Sequence, residues 1–175
     1  EAAMVLGHQA GHVTVLNPSP WQAISAPMRH AVHTYIVNST EASALLGTDI
    51  AALAQAPDWP AWQAALRESV ARFWATHDGA RALVITLGRW GCMGWLRETP
   101  TVLRHAPGLP VPEIDTIGCG DAFAAGFCWA RYTQGMTFEN ALAVGNRCGA
   151  RLAAHSGVLS ALPTLAQLRA EAMPC

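Results

Sequence analysis

At 175 residues and 18.6 kDa the chain is long enough for one compact domain with a buried core. Its formal net charge is −1 and its eleven basic residues, all arginines, are scattered singly, so nothing points to nucleic acid or an anionic membrane surface as partner. The absence of lysine also excludes a P-loop lysine and a lysine Schiff base within this sequence.

Taken in chain order, residues 1–10 read as the interior of a helix, without a basic leader or signal-peptide cleavage pattern. The chain is therefore expected to begin inside a larger fold. A β-branched run over 13–17 predicts a strand that Asn17-Pro18 stops, and HTYIVN predicts a second strand over 33–38. STEASALLG predicts a helix over 39–47 ended by Gly47. The stretch 59–79 fits a long amphipathic helix, with Leu66, Val70, Phe73 and Trp74 on one stripe. The tryptophans are expected to be mostly core or covering residues, with an exposed cluster at Trp59 and Trp62 that marks a subunit contact as the alternative. ARALVITLG, 80–88, is a continuous apolar run of the kind buried on both faces of a parallel sheet. Residues 91–114 break into short pieces that suggest an antiparallel excursion. Helices are expected from 119 onward, with breaks at Gly135-Met136 and across 155–163. This order predicts a single domain built on an open α/β sheet covered on both sides. No apolar run reaches the length of a membrane span, and five cysteines without CxxC spacing suggest reduced thiols in a cytoplasmic protein.

Chemistry concentrates in DTIGCGDAFAAGF, residues 115–127. Gly118 and Gly120 allow the backbone to turn sharply and aim consecutive N–H groups at one point. The helix that follows adds the partial positive charge of its first turn, which together with those amides makes a hole for a phosphate or a phosphoryl group in flight. Asp121 stands at that hole, where a carboxylate can take a proton from an attacking hydroxyl. An ordinary turn with an acid in the first helical turn explains any one of these residues. It does not explain the set, since five fixed positions coincide by chance with odds on the order of one in ten thousand.

This segment resembles the C-terminal signature of the ribokinase-like, or PfkB-type, carbohydrate kinases. VLNPSP, VNSTEASALLG, VITLGRWGCM and GVLSALP resemble further segments of that family in the same order, so the likeness covers nearly the whole chain. It implies a three-layer α/β/α fold with a mostly parallel sheet, here without the N-terminal half and its lid. It implies transfer of a phosphoryl group from ATP to a sugar hydroxyl, with Asp121 as base and the Gly118, Cys119 and Gly120 amides as anion hole. It places Asn38 and Glu41 near magnesium through water, Thr86 and Gly88 along the nucleotide phosphates, and Asn146 and Gly149 about the adenine. Asp115, Gly157 and Ser160 match positions around a monovalent-cation (K+) site in some members, and a homodimer is common in the family. Because the sugar-binding half is missing, an inactive nucleotide-binding remnant or interaction module is the alternative.

Several of these positions have a purely structural explanation as well. Asn38 and Glu41 have the spacing of a capping box. Small residues on one face of a helix over 139–155 (Ala141, Gly145, Gly149) leave room for a purine or for a second helix. Arg89 either reaches a phosphate or is solvated. His8 and His12 have i, i+4 spacing but no acidic partner nearby, so a zinc site is not expected.

Overall fold

In the computed structural model, residues 1–54 and 58–172 are described. They pack as two compact units, Glu1–Leu87 with Met93–Arg104, and Gly88–Cys92 with the chain from His105 onward.

The first unit is built on a sheet whose strands stand in sequence order, β1 (Val15–Leu16), β2 (Thr34–Asn38), β3 (Ala82–Thr86), β4 (Cys92–Leu96) and β5 (Thr99–Ala106). β1, β2 and β3 are parallel, and the register pairs Thr34 with Ala82 and Asn38 with Thr86. Parallel neighbours need crossovers; after α1 (Ala2–Gln9), which precedes β1, α2 (Ala26–Ala31) lies between β1 and β2, and α3 (Ser39–Leu46), α4 (Ile50–Leu53) and α5 (Trp59–Thr76) lie between β2 and β3. β4 and β5 are joined by only Arg97 and Glu98, a connection short enough for antiparallel strands alone. The Arg97 amide bonds the Arg81 carbonyl, which brings the end of β4 to the start of β3 and makes that pair antiparallel too. The antiparallel excursion expected after residue 90 is this hairpin.

The predicted strands and helices are found with ends within three residues of those expected. α2 and α4 are additions that the hydrophobic pattern did not show. Four and six residues carry too little periodicity, and both helices begin at side-chain caps, Ser25 on Met28 N–H and Asp49 on Ala52 N–H. α5 buries Trp62, Leu66, Val70, Phe73 and Trp74 against Tyr35, Val37, Leu83 and Ile85 of the sheet, all at or below 8% exposure. Each such large side chain contributes roughly 1.5–3 kcal/mol of transfer free energy, far more than the helix propensity of α5 itself. The core reading of the tryptophans holds for Trp62, and the alternative of an exposed Trp59–Trp62 cluster does not. Trp62 is 1% exposed, and Trp59 packs on it with ring centroids 5.2 Å apart. The apolar face of α5 claims Trp62 for the core because it falls on the Leu66–Val70 stripe.

The second unit pairs α6 (Cys119–Cys128) with α7 (Phe138–Ala153), followed by α8 (Leu165–Ala172). Between α6 and α7 the backbone widens into a π-helical turn over Trp129–Thr133, which the sequence did not reveal. Small residues let the two helices approach closely: a Cβ on Gly145 would stand 2.8 Å from the Phe123 ring, and one on Gly126 would stand 2.4 Å from the Cys148 sulfur. Phe123, Phe127 and Phe138 fill the remaining space, Phe127 meeting Phe138 edge-on at 5.9 Å. Among the described residues no helix is long and apolar enough to cross a membrane.

Candidate functional site

The candidate residues of the first unit gather at the carboxyl ends of its parallel strands, where open α/β sheets place ligands. Asn38 ends β2 and Thr86 ends β3 in the same register. Asn17, just past β1, joins them there, its amide donating 2.7 Å to the Ile36 carbonyl. Asn17 was not singled out from the sequence, although an Asn-Pro directly after an apolar run is the signal that marks it. Asn38 and Glu41 form a complete capping box at the start of α3: Asn38 Oδ1 accepts from Glu41 N–H at 2.8 Å, and Glu41 Oε2 accepts from Asn38 N–H at 2.9 Å. Glu41 is 4% exposed. The Thr86 hydroxyl donates to Val37 at a long 3.5 Å and is half-buried.

In the second unit Gly88 opens a short 3-10 turn with φ +58°, and Gly118 caps α6 with φ +77°. No side chain caps this helix. Among the described residues the amides of Gly118, Gly120 and Asp121 have no acceptor, while the Cys119 amide makes a long 3.3 Å bond to the Thr116 carbonyl. Three neighbouring donors are thus left open at the positive end of α6. Asp121 lies in the first turn with its side chain exposed. The approach is rigid: Ile114 and Asp115 donate to the Ala153 carbonyl, and Asp115 Oδ1 accepts from Ile117 N–H at 3.0 Å. The Cys119 thiol points back to the Asp115 carbonyl at 3.7 Å, and burial, then the Asp115 and Glu113 carboxylates, raise its pKa. It is therefore a poor nucleophile beside the open amides.

The two glycines of the turn differ in their reasons. A Cβ on Gly118 would crowd Val158 at 3.2 Å and Leu152 at 3.3 Å in addition to the positive φ. A Cβ on Gly120 would meet nothing within 4 Å, so the protein itself gives no reason for glycine there. Gly157, with φ +85°, brings Ser160 Oγ to 3.7 Å from its own would-be Cβ. The Asn146 amide donates to the Ala106 and Pro107 carbonyls at 2.8 and 3.1 Å, leaving its oxygen available. Gly149 faces the Cys119 carbonyl, 3.2 Å from a built Cβ, so helix packing accounts for it. Arg89 is held 3.7 Å from Glu113 rather than free. Among the described residues no group of three or more histidine, cysteine or acidic side chains is arranged to hold a metal ion.

Comparison with known proteins gives a consistent answer. A family model described as pfkB family carbohydrate kinase matches residues 1–165. The chain is 28% identical to a ribokinase of Haemophilus influenzae over 94% of its own length and 48% of that protein. It is 39% identical to a fructoselysine 6-kinase of Escherichia coli over 45% of the chain and 29% of that enzyme. Among solved structures, the ribokinase of Arabidopsis thaliana complexed with ribose and ATP superposes with a TM-score of 0.77 at 17% identity, over 96% of this chain and 50% of that one. That likeness shows the fold, ribokinase-like, and the chain spans about half the length of the relatives that it matches nearly end to end.

Proposed function

The chain belongs to the pfkB family of carbohydrate kinases, and from that premise we propose that it transfers the γ-phosphoryl group of ATP to a hydroxyl of a sugar or similar small alcohol. The observation that carries this reading is the start of α6, where the Gly118, Gly120 and Asp121 amides are open and an exposed carboxylate stands beside them. In the reaction the acceptor oxygen bonds the γ-phosphorus as the bond from that phosphorus to the β,γ-bridging oxygen breaks. Asp121 takes the hydroxyl proton and ADP leaves. The open amides stabilise charge on the phosphoryl oxygens, so the rate gain comes from positioning and preorganised electrostatics. The anion hole assigned to the Gly118, Cys119 and Gly120 amides draws first on Gly118 and Gly120, with the open Asp121 amide beside them, since the Cys119 amide makes a long bond to the Thr116 carbonyl.

Magnesium fits Asn38 and Glu41 only through water, since one oxygen of each already accepts a backbone N–H and Glu41 is buried. Bound with the nucleotide, it supplies neutralisation of phosphate charge. Thr86 and Gly88 are assigned to the nucleotide phosphates. Asn146 is assigned to the adenine through its free oxygen, and Gly149 to the same end of α7. Asp115, Gly157 and Ser160 are assigned to a monovalent cation, where backbone and hydroxyl oxygens suit K+. A cytoplasmic setting accords with the absence of a disulfide among the described residues, and self-association belongs to the same family reading.

Replacing Asp121 by Asn is expected to lower turnover at least about 10²-fold, the loss typical of a general base, while ATP still raises the melting temperature. Near-normal turnover in Asp121→Asn would remove the base assignment. The alternative is a nucleotide-binding module without transfer activity. Thermal stabilisation by ATP without ATP consumption across a panel of sugars would select it.

A further inference from the structure

Away from every residue assigned above, α5 and the β4–β5 hairpin enclose a groove of about 600 Å3, within the range of small-molecule sites. Its floor is apolar, Val70 and Trp95, each 2% exposed. Ala64 and the 45% exposed Val102 stand on its walls. One wall is fixed by Gln63, whose amide donates to the Thr101 carbonyl at 3.1 Å. Arg67, one turn along α5 from Gln63, is the charged member of the lining.

Arg67 differs from the other arginines of this neighbourhood. Arg97 spends its guanidinium on the Trp74, His77 and Ala80 carbonyls and lies over the Trp74 ring. Arg72 donates 2.9 Å to Ser69 Oγ, and Arg104 donates 3.1 Å to the Val102 carbonyl. Arg67 makes no hydrogen bond or ion pair among the described residues, and no acidic side chain lines the groove with it. A planar fork of donors beside an apolar floor suits an anion on an apolar body, and a carboxylate is the simplest such group.

We propose that this groove is a second binding site, for a small amphipathic monoanion whose carboxylate pairs with Arg67 and whose apolar body lies over Val70 and Trp95. The site is independent of phosphoryl transfer, since no proposed catalytic or nucleotide residue lines it.

The test is a titration of the 15N-labelled chain with 3-phenylpropionate, and in parallel with the neutral 3-phenylpropionamide, followed by amide chemical shifts. Binding of the acid is expected with a Kd of about 1 mM, with shifts on α5 and on residues 95–102. The amide is expected to bind about fivefold more weakly, as loss of a partly exposed ion pair implies. Arg67→Gln should weaken the acid to the level of the amide and leave the amide unchanged. Ala64→Trp, which fills the groove from an exposed position, should abolish both while the dispersed spectrum persists. Equal binding of acid and amide, an unchanged Kd in Arg67→Gln, shifts elsewhere on the chain, or no shifts at about 10 mM ligand would each overturn the proposal.

Discussion

At the start of α3 the Asn38 and Glu41 side chains and backbones satisfy one another, closing two of the amide donors there with a side-chain cap. At the start of α6 a glycine stands at the cap, no side chain returns to the backbone, and three amide donors stay open beside an exposed Asp121. An orphan donor in the first turn of a helix ordinarily finds a cap, because a good cap is worth about 1 kcal/mol. A helix start that forgoes this leaves its donors to water or to a ligand.

The contrast breaks most easily at Gly118. An alanine there must hold a left-handed backbone, a cost of about 1–2 kcal/mol, and its Cβ must also displace Val158 or Leu152. Gly118→Ala is expected to destabilise the second unit by about 2 kcal/mol in chemical denaturation, with loss of nucleotide-dependent stabilisation. An unchanged denaturation midpoint would mean that the turn is not held as described.

At the closed end the expected effect is smaller and purely structural. Asn38→Ala removes the acceptor for Glu41 N–H and should cost about 1 kcal/mol, while Asn38→Ser, which can cap equally well, should restore most of it. If Asn38 also organises magnesium and its waters, Asn38→Ser will be stable yet show a weaker magnesium-dependent stabilisation by ATP. Recovery of both properties would leave Asn38 a cap alone.

Much of this contrast is legible from local sequence. The 115–127 segment, the Gly47 stop of α3 and the two-faced burial of β3 all rest on residues close together in the chain. The burial of Trp62 is legible as well, because it stands one turn ahead of Leu66 on the same stripe. What is not legible depends on distant partners. Asn146 looks like a free polar residue on a helix of small residues until its amide is seen on carbonyls 39 and 40 positions away. α2 and α4 are too short for periodicity to register, and the π-helical turn after α6 is a backbone adjustment without a residue signature. Asn17 needed only a reading of the Asn-Pro stop as a position at a ligand-facing strand end.

Gly120 gives the smallest effect and the most discriminating one. Its backbone is helical and a Cβ would enter open space, so alanine there is better than glycine by propensity alone. At the second helical position this gain is about 0.5 kcal/mol, and the ligand-free Gly120→Ala protein should melt slightly higher than the parent. If the open amides cradle a phosphate, the same methyl stands where the anion approaches, and the added stability comes with a loss of the ATP-induced rise in melting temperature. The two shifts have opposite signs, which no general destabilisation can imitate. A variant that melts higher and still responds fully to ATP would show that the space before α6 is solvent, and that its open amides serve no ligand.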